Sequence, residues 1–339
     1  MTSPLTSGAS NHVPDARHLF ELATGFMRSK HMFVAGELGV FETLGEGPAT
    51  LEELVAKLGT PARTTRIVVD AVTSLGLLER HGDRYQNAAL AQAYLSGRGL
   101  IDMRPFIRLW NRLSYRRWLS LEESIRLGKG VAGEFNFTPE ERKILSEGVE
   151  AISAGVAQAL AGAYDFSQHR RLLDIGGGTG SFLKVLLQHY PELRCTLYEL
   201  PAIAAVAYEK LADHPLRPQL EILEGDFLQD PLPTGHDAVL LAHVVHVLGP
   251  ERNQRLLRQV RRAVTPGARL LIVDLWMNST HTEPLMGALM AGEFLVVGGN
   301  GDVYSVDEGL SWLEQSGWRF IEHKQVGGPV TLMVGQAVG

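Results

Sequence analysis

Cysteine is almost absent from this chain: Cys195 is the only one among 339 residues. A single cysteine excludes an internal disulfide and any zinc site made of several cysteines, and it is typical of a reducing compartment. Long apolar runs are also missing, because Ala238–Val245 is interrupted by a histidine and is too short to span a bilayer. Met1–Asn11 lacks the basic region and the apolar core of a secretory signal. We therefore expect a cytoplasmic protein.

The first 100 residues have the pattern of a small helical domain. Apolar residues at helical spacing predict a helix over 18–36. Thr50 and Glu53 form a capping-box pattern at the start of a second helix, and Pro61 marks the start of a third. The third helix is expected to bury Ile67, Val68, Ala71, Val72 and Leu75. A hairpin over 77–86 completes the outline of a winged helix.

A winged helix is compatible with DNA binding or with packing against another chain, and the charge favours packing. Residues 1–100 carry nine Lys/Arg and ten Asp/Glu, a net of −1, and the whole chain has a formal net charge of −6. DNA-binding modules usually present a basic face. We therefore expect residues 1–100 to form a dimerisation domain, with no nucleic-acid partner and no membrane partner.

Residues 101–165 are predicted to form a helical linking region. Four arginines recur at every fourth position and predict one charged helix face: Arg104, Arg108, Arg112 and Arg116. We interpret them as a solvated row paired with acids such as Glu122 and Glu123, in preference to a contact for an anionic substrate.

Residues 166–339 alternate between strands and helices, which indicates an α/β domain with a doubly wound, mostly parallel, Rossmann-like sheet. The predicted parallel strands cover 171–175, 194–199, 220–224, 238–243 and 269–274. The last two strand-like runs, 319–326 and 330–338, are separated only by Gly-Gly-Pro. That short connection predicts a hairpin, and hence a reversed last strand.

A glycine turn follows the first of these strands, and its surroundings indicate the ligand. The run Leu172–Gly180 contains Asp174 and then four glycines in five positions, among them Gly176 and Gly178. The G-x-G-x-x-G pattern of nicotinamide cofactors is not met. Asp174 would repel a pyrophosphate and suits a ligand with an amino group, while Glu199 at the end of the next strand can accept hydrogen bonds from ribose hydroxyls. The combination favours S-adenosylmethionine.

A third acidic residue ends the third strand. Asp226 can accept a hydrogen bond from an adenine amino group, and Phe227 can flank the adenine ring. The alternative for Asp226 is that it caps a turn. Because open α/β sheets bind ligands at the carboxyl ends of their strands, we place Asp226 with Asp174 and Glu199 in the cofactor site.

These motifs together resemble those of a bacterial member of the small-molecule O-methyltransferase family, which includes the plant caffeate-type enzymes. The resemblance covers nearly the whole chain and includes 164–166, 173–180, 199–201, 225–227 and 266–274. It implies a winged-helix homodimer and cofactor contacts from Gly176, Glu199, Asp226 and Phe227. It also implies that Ser153 lies near the methionine end of the cofactor. S-adenosylhomocysteine would be the product formed from the cofactor.

Two histidines after the fourth strand are candidates for the catalytic base, since the imidazole pKa lies near neutrality. By the resemblance His246 matches the base and Asp274 matches an acid that orients it. The family's aspartate and tryptophan after the base are replaced here by valine and leucine. A second family acid falls near Val303, where the sequence offers only the neighbouring Asp302. His243 is a second candidate for the base, and we also place it in the cofactor site.

The helix predicted over 286–297 can supply the substrate pocket. Met290, Glu293 and Phe294 are spaced to share a face or adjacent faces, and we assign them to the substrate, with ordinary core packing as the alternative. The two histidines with Glu293 or Asp274 could also bind a metal, but we expect no metal site.

The expected function is methyl transfer from S-adenosylmethionine to a hydroxyl of a small, aromatic secondary metabolite, with His246 as general base. Methylation at carbon or nitrogen is the enzymatic alternative, because proximity alone can support it. A cofactor-sensing or DNA-binding regulator is the alternative of another class.

Overall fold

The structure is a computed structural model that describes residues 15–133 and 136–339, so the N-terminal segment 1–11 discussed above lies outside the described residues. The chain divides into two compact units, 1–102 and 103–339. In the described ranges, no helix is both long enough and apolar enough to cross a membrane.

The first unit is helical with a small antiparallel sheet in the order β1-β3-β2. Its described helices and strands are α1 (Arg17–Leu38), α2 (Val40–Gly45), β1 (Ala49–Thr50), α3 (Leu51–Leu58), α4 (Ala62–Ser74), β2 (Leu78–His81), β3 (Arg84–Asn87) and α5 (Ala89–Tyr94). The predicted capping box at the start of α3 is present: the Thr50 side chain accepts a hydrogen bond from the Glu53 amide, and the Glu53 carboxylate accepts one from the Thr50 amide.

The buried face of α4 differs from the predicted one. Thr65, Val69 and Val72 are buried, whereas Ile67 is 43% exposed and Leu75 is 37% exposed. The prediction was wrong for these two residues because apolar residues cover more of the helix circumference than the core of one unit can contact. The remaining apolar residues form part of the surface of this unit.

The second unit begins with helices that pack on the sheet domain. They are α6 (Arg104–Leu109), α7 (Tyr115–Arg117), α8 (Leu121–Leu127) and α9 (Pro139–Ala163). A π-helical turn over Trp110–Ser114 separates α6 from α7, so the arginine row does not follow one regular helix. Arg108 lies 3.8 Å from Glu147 and Arg112 lies 4.0 Å from Glu140. Both arginines are exposed, which fits the predicted solvated row.

The pairing described for Glu122 differs from the predicted one. Glu122 pairs with Arg126 on its own helix at 2.8 Å, because residues four apart on a helix are neighbours. The acids described opposite Arg108 and Arg112 come from α9, which the sequence does not reveal because more than 20 residues separate the two helices.

The sheet of the second unit has seven strands in the order β6-β5-β4-β7-β8-β10-β9. Its strands are β4 (Arg171–Ile175), β5 (Arg194–Glu199), β6 (Leu220–Glu224), β7 (Ala238–Ala242), β8 (Arg269–Leu275), β9 (Trp318–Gly327) and β10 (Val330–Ala337). β4 through β8 are parallel, and β10 pairs antiparallel with both β8 and β9. The predicted reversed last strand is confirmed.

Helices cover both faces of this sheet. They are α10 (Ser181–His189), α11 (Pro201–Leu211), α12 (Pro250–Ala263), α13 (Leu285–Glu293) and α14 (Val306–Gln315). Leu172 packs in one core with α9, α10 and α11, and its neighbour Leu173 packs in the other core with α12 and α14. Because alternate strand residues face opposite sides, buried parallel strands read as continuous apolar runs.

Candidate active site

The candidate site lies where the order of the parallel strands reverses. β4 comes first in sequence, and its neighbours are β5 on one side and β7 on the other. Ligands of open α/β sheets bind at the carboxyl ends of the strands beside such a switch point. Asp174 and Glu199 lie at the ends of β4 and β5, Asp226 follows β6, and the predicted base follows β7 at the same edge.

The glycine turn after β4 has a conformation that requires glycine. Gly176, Gly178 and Gly180 have φ values of 71°, 61° and 78°, which L side chains rarely adopt. At Gly177 a Cβ atom would lie 2.2 Å from a carboxylate oxygen of Asp174. The turn therefore wraps closely over the carboxyl group of Asp174 and leaves its outer side bare for a ligand.

Asp174 itself is a buried carboxyl group without a described partner. It is 0% exposed, and neither of its oxygens has a hydrogen-bond partner among the described residues. Burial, with a smaller contribution from the charge of Glu199, raises the pKa of Asp174 to about 8. An acceptor held in this way beneath a bare turn fits a ligand that carries a positive charge or an amino group.

Glu199 ends β5 and closes the turn from the side. Its Oε2 accepts a hydrogen bond from the Gly178 amide at 2.9 Å, and its Oε1 accepts one from the Leu200 amide at 2.8 Å. Burial raises the pKa of Glu199, and the two amide hydrogen bonds oppose that rise. Each carboxylate oxygen retains a second acceptor position, which suits the hydroxyls of a ribose.

Asp226 and Phe227 follow β6 at the same edge. The carboxylate of Asp226 accepts hydrogen bonds from the Leu228 amide at 2.8 Å and from the Gln229 side chain at 2.6 Å. The turn-capping alternative for Asp226 is therefore present in the structure. The Phe227 ring lies 3.5 Å from the position of a Cβ on Gly176, so it borders the glycine turn as an adenine-flanking residue must.

Ser153 is buried on α9, which packs against α10, the helix that leaves the glycine turn. One turn earlier, Glu150 accepts a hydrogen bond from Lys184 of α10 at 2.7 Å and another from Lys210 of α11. These ion pairs fix α9 against the two helices that follow the cofactor strands.

His246 and Asp274 form a buried pair on the other side of the switch point. The Nδ1–H of His246 donates to Oδ1 of Asp274 at 2.7 Å, and the His246 amide donates to Oδ2 at 3.3 Å. Although burial opposes it, the charge and hydrogen bond of His246 hold the pKa of Asp274 below its usual range. An ionised partner at Nδ1 leaves Nε2 as the ring atom that can accept a proton.

His243 lies beside this pair with an unusual backbone. Its φ is 59°, its amide donates to the Val273 carbonyl at 2.9 Å, and its Nε2 has no described partner. Burial lowers the pKa of His243 to about 4, so its imidazole is neutral and a weak base. The ligand atoms of His243, His246 and Asp274 lie within 4.8 Å of one another. This is the set that the metal alternative requires, with Asp274 and not Glu293 as the carboxylate.

The predicted substrate helix ends earlier than expected. α13 stops at Glu293, and a π-helical turn follows over Phe294–Gly298. Met290 is half-buried and packs against the core beneath the sheet. Phe294 stacks on His246 with ring centroids 3.8 Å apart and planes 13° apart. Among the predicted substrate residues, Phe294 is therefore the one placed directly against the candidate base.

Glu293 faces inward. Its Oε1 accepts a hydrogen bond from the Ser114 hydroxyl at 2.5 Å, and its Oε2 accepts one from the Trp118 indole at 2.5 Å. Burial raises the pKa of Glu293, and both hydrogen bonds oppose that rise. The sequence does not reveal these partners, because Ser114 lies 179 residues away.

Comparison with known proteins identifies the family. Residues 127–319 match the O-methyltransferase domain, and residues 20–97 match the O-methyltransferase dimerisation domain. A 3-hydroxy-5-methyl-1-naphthoate 3-O-methyltransferase from Streptomyces sahachiroi is 34% identical over 88% of each chain. A tetracenomycin polyketide synthesis 8-O-methyl transferase from Streptomyces glaucescens is 29% identical over 96% of this chain and 98% of its own.

A solved structure agrees over the same length. Human N-acetylserotonin methyltransferase in complex with S-adenosylmethionine has a TM-score of 0.89 and 26% identity, covering 98% of this chain and 100% of its own. The matched domain, the relatives and the strand order concur. The chain belongs to the O-methyltransferase family.

Proposed function

We propose that this methyltransferase transfers a methyl group from S-adenosylmethionine to a hydroxyl of a small, aromatic secondary metabolite, with His246 as general base. The observation that carries the proposal is the hydrogen bond of 2.7 Å between His246 and Asp274, at the edge of the sheet that also presents the glycine turn. The cofactor supplies an electrophilic methyl group on a sulfonium. Family membership and the hydroxynaphthoate in the name of one relative support the acceptor class.

The residues at the glycine turn fit this cofactor. Asp174 provides an unpartnered carboxyl group, Glu199 provides acceptor positions for ribose hydroxyls, and Phe227 borders the turn. Gly176 and Gly178 leave the approach free of side chains. Asp226 can contribute through an oxygen that already caps the turn, and Ser153 and His243 complete the buried surroundings.

The base acts through Nε2. In the proposed reaction His246 accepts the proton of the acceptor hydroxyl while Asp274 holds Nδ1–H and stabilises the imidazolium that forms. Met290, Phe294 and Glu293 belong to the acceptor side of the site. Positioning of the acceptor oxygen in line with the methyl group accounts for the remaining rate acceleration.

The decisive variant is His246→Gln, which keeps a polar side chain of similar size and removes the base. We expect kcat to fall about 10²- to 10⁴-fold, while the Kd for S-adenosylhomocysteine stays within twofold. Transfer of labelled methyl to small phenols and hydroxynaphthoic acids measures the rate. The matched control is His323→Gln on β9, a half-buried histidine that bonds Thr331. Full turnover by His246→Gln would exclude His246 as the base. Locating the new methyl group in the product by NMR would reveal any transfer to carbon or nitrogen.

We further propose that residues 1–100 form a homodimerisation domain, with 101–165 as a helical linking region and 166–339 as the methyltransferase domain. Supporting this, α1 exposes a row of large apolar side chains, Leu19, Phe20, Leu22, Phe26 and Met27, each 48–69% exposed. Light scattering should give twice the mass of one chain. A monomer at micromolar concentration would refute the homodimer.

A further inference from the structure

Two π-helical turns contact each other, one of them adjoins the candidate base, and a buried glutamate joins the two turns. One turn covers Trp110–Ser114 and the other covers Phe294–Gly298. Glu293 precedes the second turn, is 7% exposed, and accepts hydrogen bonds from Ser114 and Trp118. Because π-helical turns are rare and concentrate at functional sites, their junction through one carboxylate indicates more than ordinary packing.

Other contacts hold the same segment in place. Arg117 donates a hydrogen bond to the Val297 carbonyl at 3.0 Å, and the Gly130 amide donates one to the Gly299 carbonyl at 2.8 Å. The Trp118 ring fits against Gly292, where a Cβ would lie 2.9 Å from the indole. The C-terminal end of α13 and the turn after it are therefore anchored to the helices that precede α9.

The anchored segment reaches the candidate base through Phe294, whose ring stacks on His246. From the opposite direction, the Asp302 amide donates to the His246 carbonyl at 3.0 Å. At Gly301 a Cβ would lie 2.4 Å from that carbonyl and 2.7 Å from the Phe294 Cβ. His246 is thus held at Nδ1, at its carbonyl and on one ring face. Nε2 is the ring nitrogen that takes part in none of these contacts.

We propose that Glu293 is a positioning residue for methyl transfer: by binding Ser114 and Trp118 it holds Phe294 stacked on His246, and the stack fixes the direction of Nε2. This inference rests on the proposed role of His246 as base. Both oxygens of Glu293 are engaged by hydrogen bonds within the protein, so Glu293 acts on the reaction through Phe294.

Substitution by glutamine separates this role from a role of the negative charge. In Glu293→Gln the amide oxygen can accept from Trp118 and the amide N–H can donate to the Ser114 hydroxyl, which accepts as readily as it donates. Glu293→Gln should therefore keep the stack, whereas Glu293→Ala should lose it. Phe294→Leu removes the ring itself. Glu122→Ala, at an exposed glutamate of α8, is the matched control.

The first measurement needs no substrate. In protein labelled with ¹³C-histidine, the His246 ring signals are identified by their loss in His246→Gln, and the stacked phenyl ring displaces them upfield. We expect the upfield displacement to persist in Glu293→Gln and Glu122→Ala and to be lost in Glu293→Ala and Phe294→Leu. An unchanged His246 signal in folded Glu293→Ala would overturn the proposal.

The second measurement is transfer of labelled methyl to the same small phenols and hydroxynaphthoic acids. We expect kcat to fall about 10- to 100-fold in Glu293→Ala and to return to within about threefold of the natural value in Glu293→Gln. The Kd for S-adenosylhomocysteine should be unchanged in both. Equal loss of kcat in Glu293→Gln and Glu293→Ala would overturn the positioning role. If instead His246→Gln were fully active, the proposed role of His246 as base would be refuted. The ring signals of His246 would still show whether Glu293 holds Phe294 stacked on His246.

Discussion

The buried carboxyl of Asp174 makes a strong prediction about stability and pH. A pKa raised to about 8 in the folded protein exceeds the value of about 3.9 in an unfolded chain. Between these values the unfolded state binds fewer protons than the folded state, so the free energy of unfolding falls as pH rises from about 4 through 8. Asp174→Asn removes this dependence because an amide does not ionise.

The size of the effect follows from the same pKa values. At about 1.4 kcal/mol for each tenfold change in proton affinity, the Asp174 contribution falls by at most about 4 kcal/mol between pH 5 and pH 8.5. Local relaxation around a buried charge reduces this figure. We therefore expect the free energy of unfolding of the natural protein to fall by about 2 kcal/mol more than that of Asp174→Asn between pH 5 and pH 8.5. The pKa of Glu199 is also raised by burial. Glu199 therefore contributes to the pH dependence of stability with the same sign in both proteins.

Urea unfolding at pH 5 and pH 8.5, at one fixed protein concentration, measures the difference. Between pH 5 and pH 8.5 the midpoint of the natural protein should fall relative to that of Asp174→Asn, with an unchanged m value. Asp307→Asn, at an exposed position in the first turn of α14, serves as the control. In parallel, the Kd for S-adenosylhomocysteine should weaken about tenfold in Asp174→Asn. Identical pH dependence in both proteins would refute the assignment of Asp174 as a buried, titrating carboxyl.

Three further predictions concern the turn and the base. Asp274→Asn should lower kcat about 10²- to 10⁴-fold without changing cofactor affinity, since it removes the charge that stabilises the imidazolium; an active variant in a methyl-transfer assay would contradict this. Gly301→Ala should destabilise the protein by about 1–3 kcal/mol, measured by urea unfolding, because its Cβ would lie 2.4 Å from the His246 carbonyl; an unshifted midpoint would contradict it. Gly178→Ala should cost about 1–2 kcal/mol through its positive φ and weaken cofactor affinity in calorimetry, whereas Gly267→Ala, in a distant turn with φ 89°, should alter stability alone.

Local sequence patterns predicted the elements of this fold well because the relevant forces act over short distances. The strands over 171–175, 194–199 and 220–224 have the predicted bounds, since apolar runs bounded by polar turns specify buried parallel strands. The capping box at Thr50 is equally local. The acids at successive strand ends could be assigned to one edge because parallel strands end together.

Contacts between distant segments could not be predicted in the same way. The hydrogen bond between Ser114 and Glu293 joins residues 179 positions apart, and no periodicity reveals such a pair. The helical pattern over 286–297 correctly indicated α13 but not the π-helical turn, which depends on contacts from the preceding helices. The exposure of Ile67 and Leu75 likewise depends on which apolar residues a unit buries within itself.

The reversal of strand order beside β4 divides the site into two sequence-contiguous halves. Apart from His243, the residues assigned to the cofactor lie between Ser153 and Phe227. His246, Asp274 and the stacked Phe294 lie between His243 and Asp302, whereas Ser114 and Trp118, which anchor that stack, precede both halves. The loop over 228–237 joins them and is the point at which two related genes could be recombined. A chimera joined there would inherit its methyl donor site from one parent and most of its acceptor chemistry from the other, which makes new acceptor specificities reachable without rebuilding the donor site.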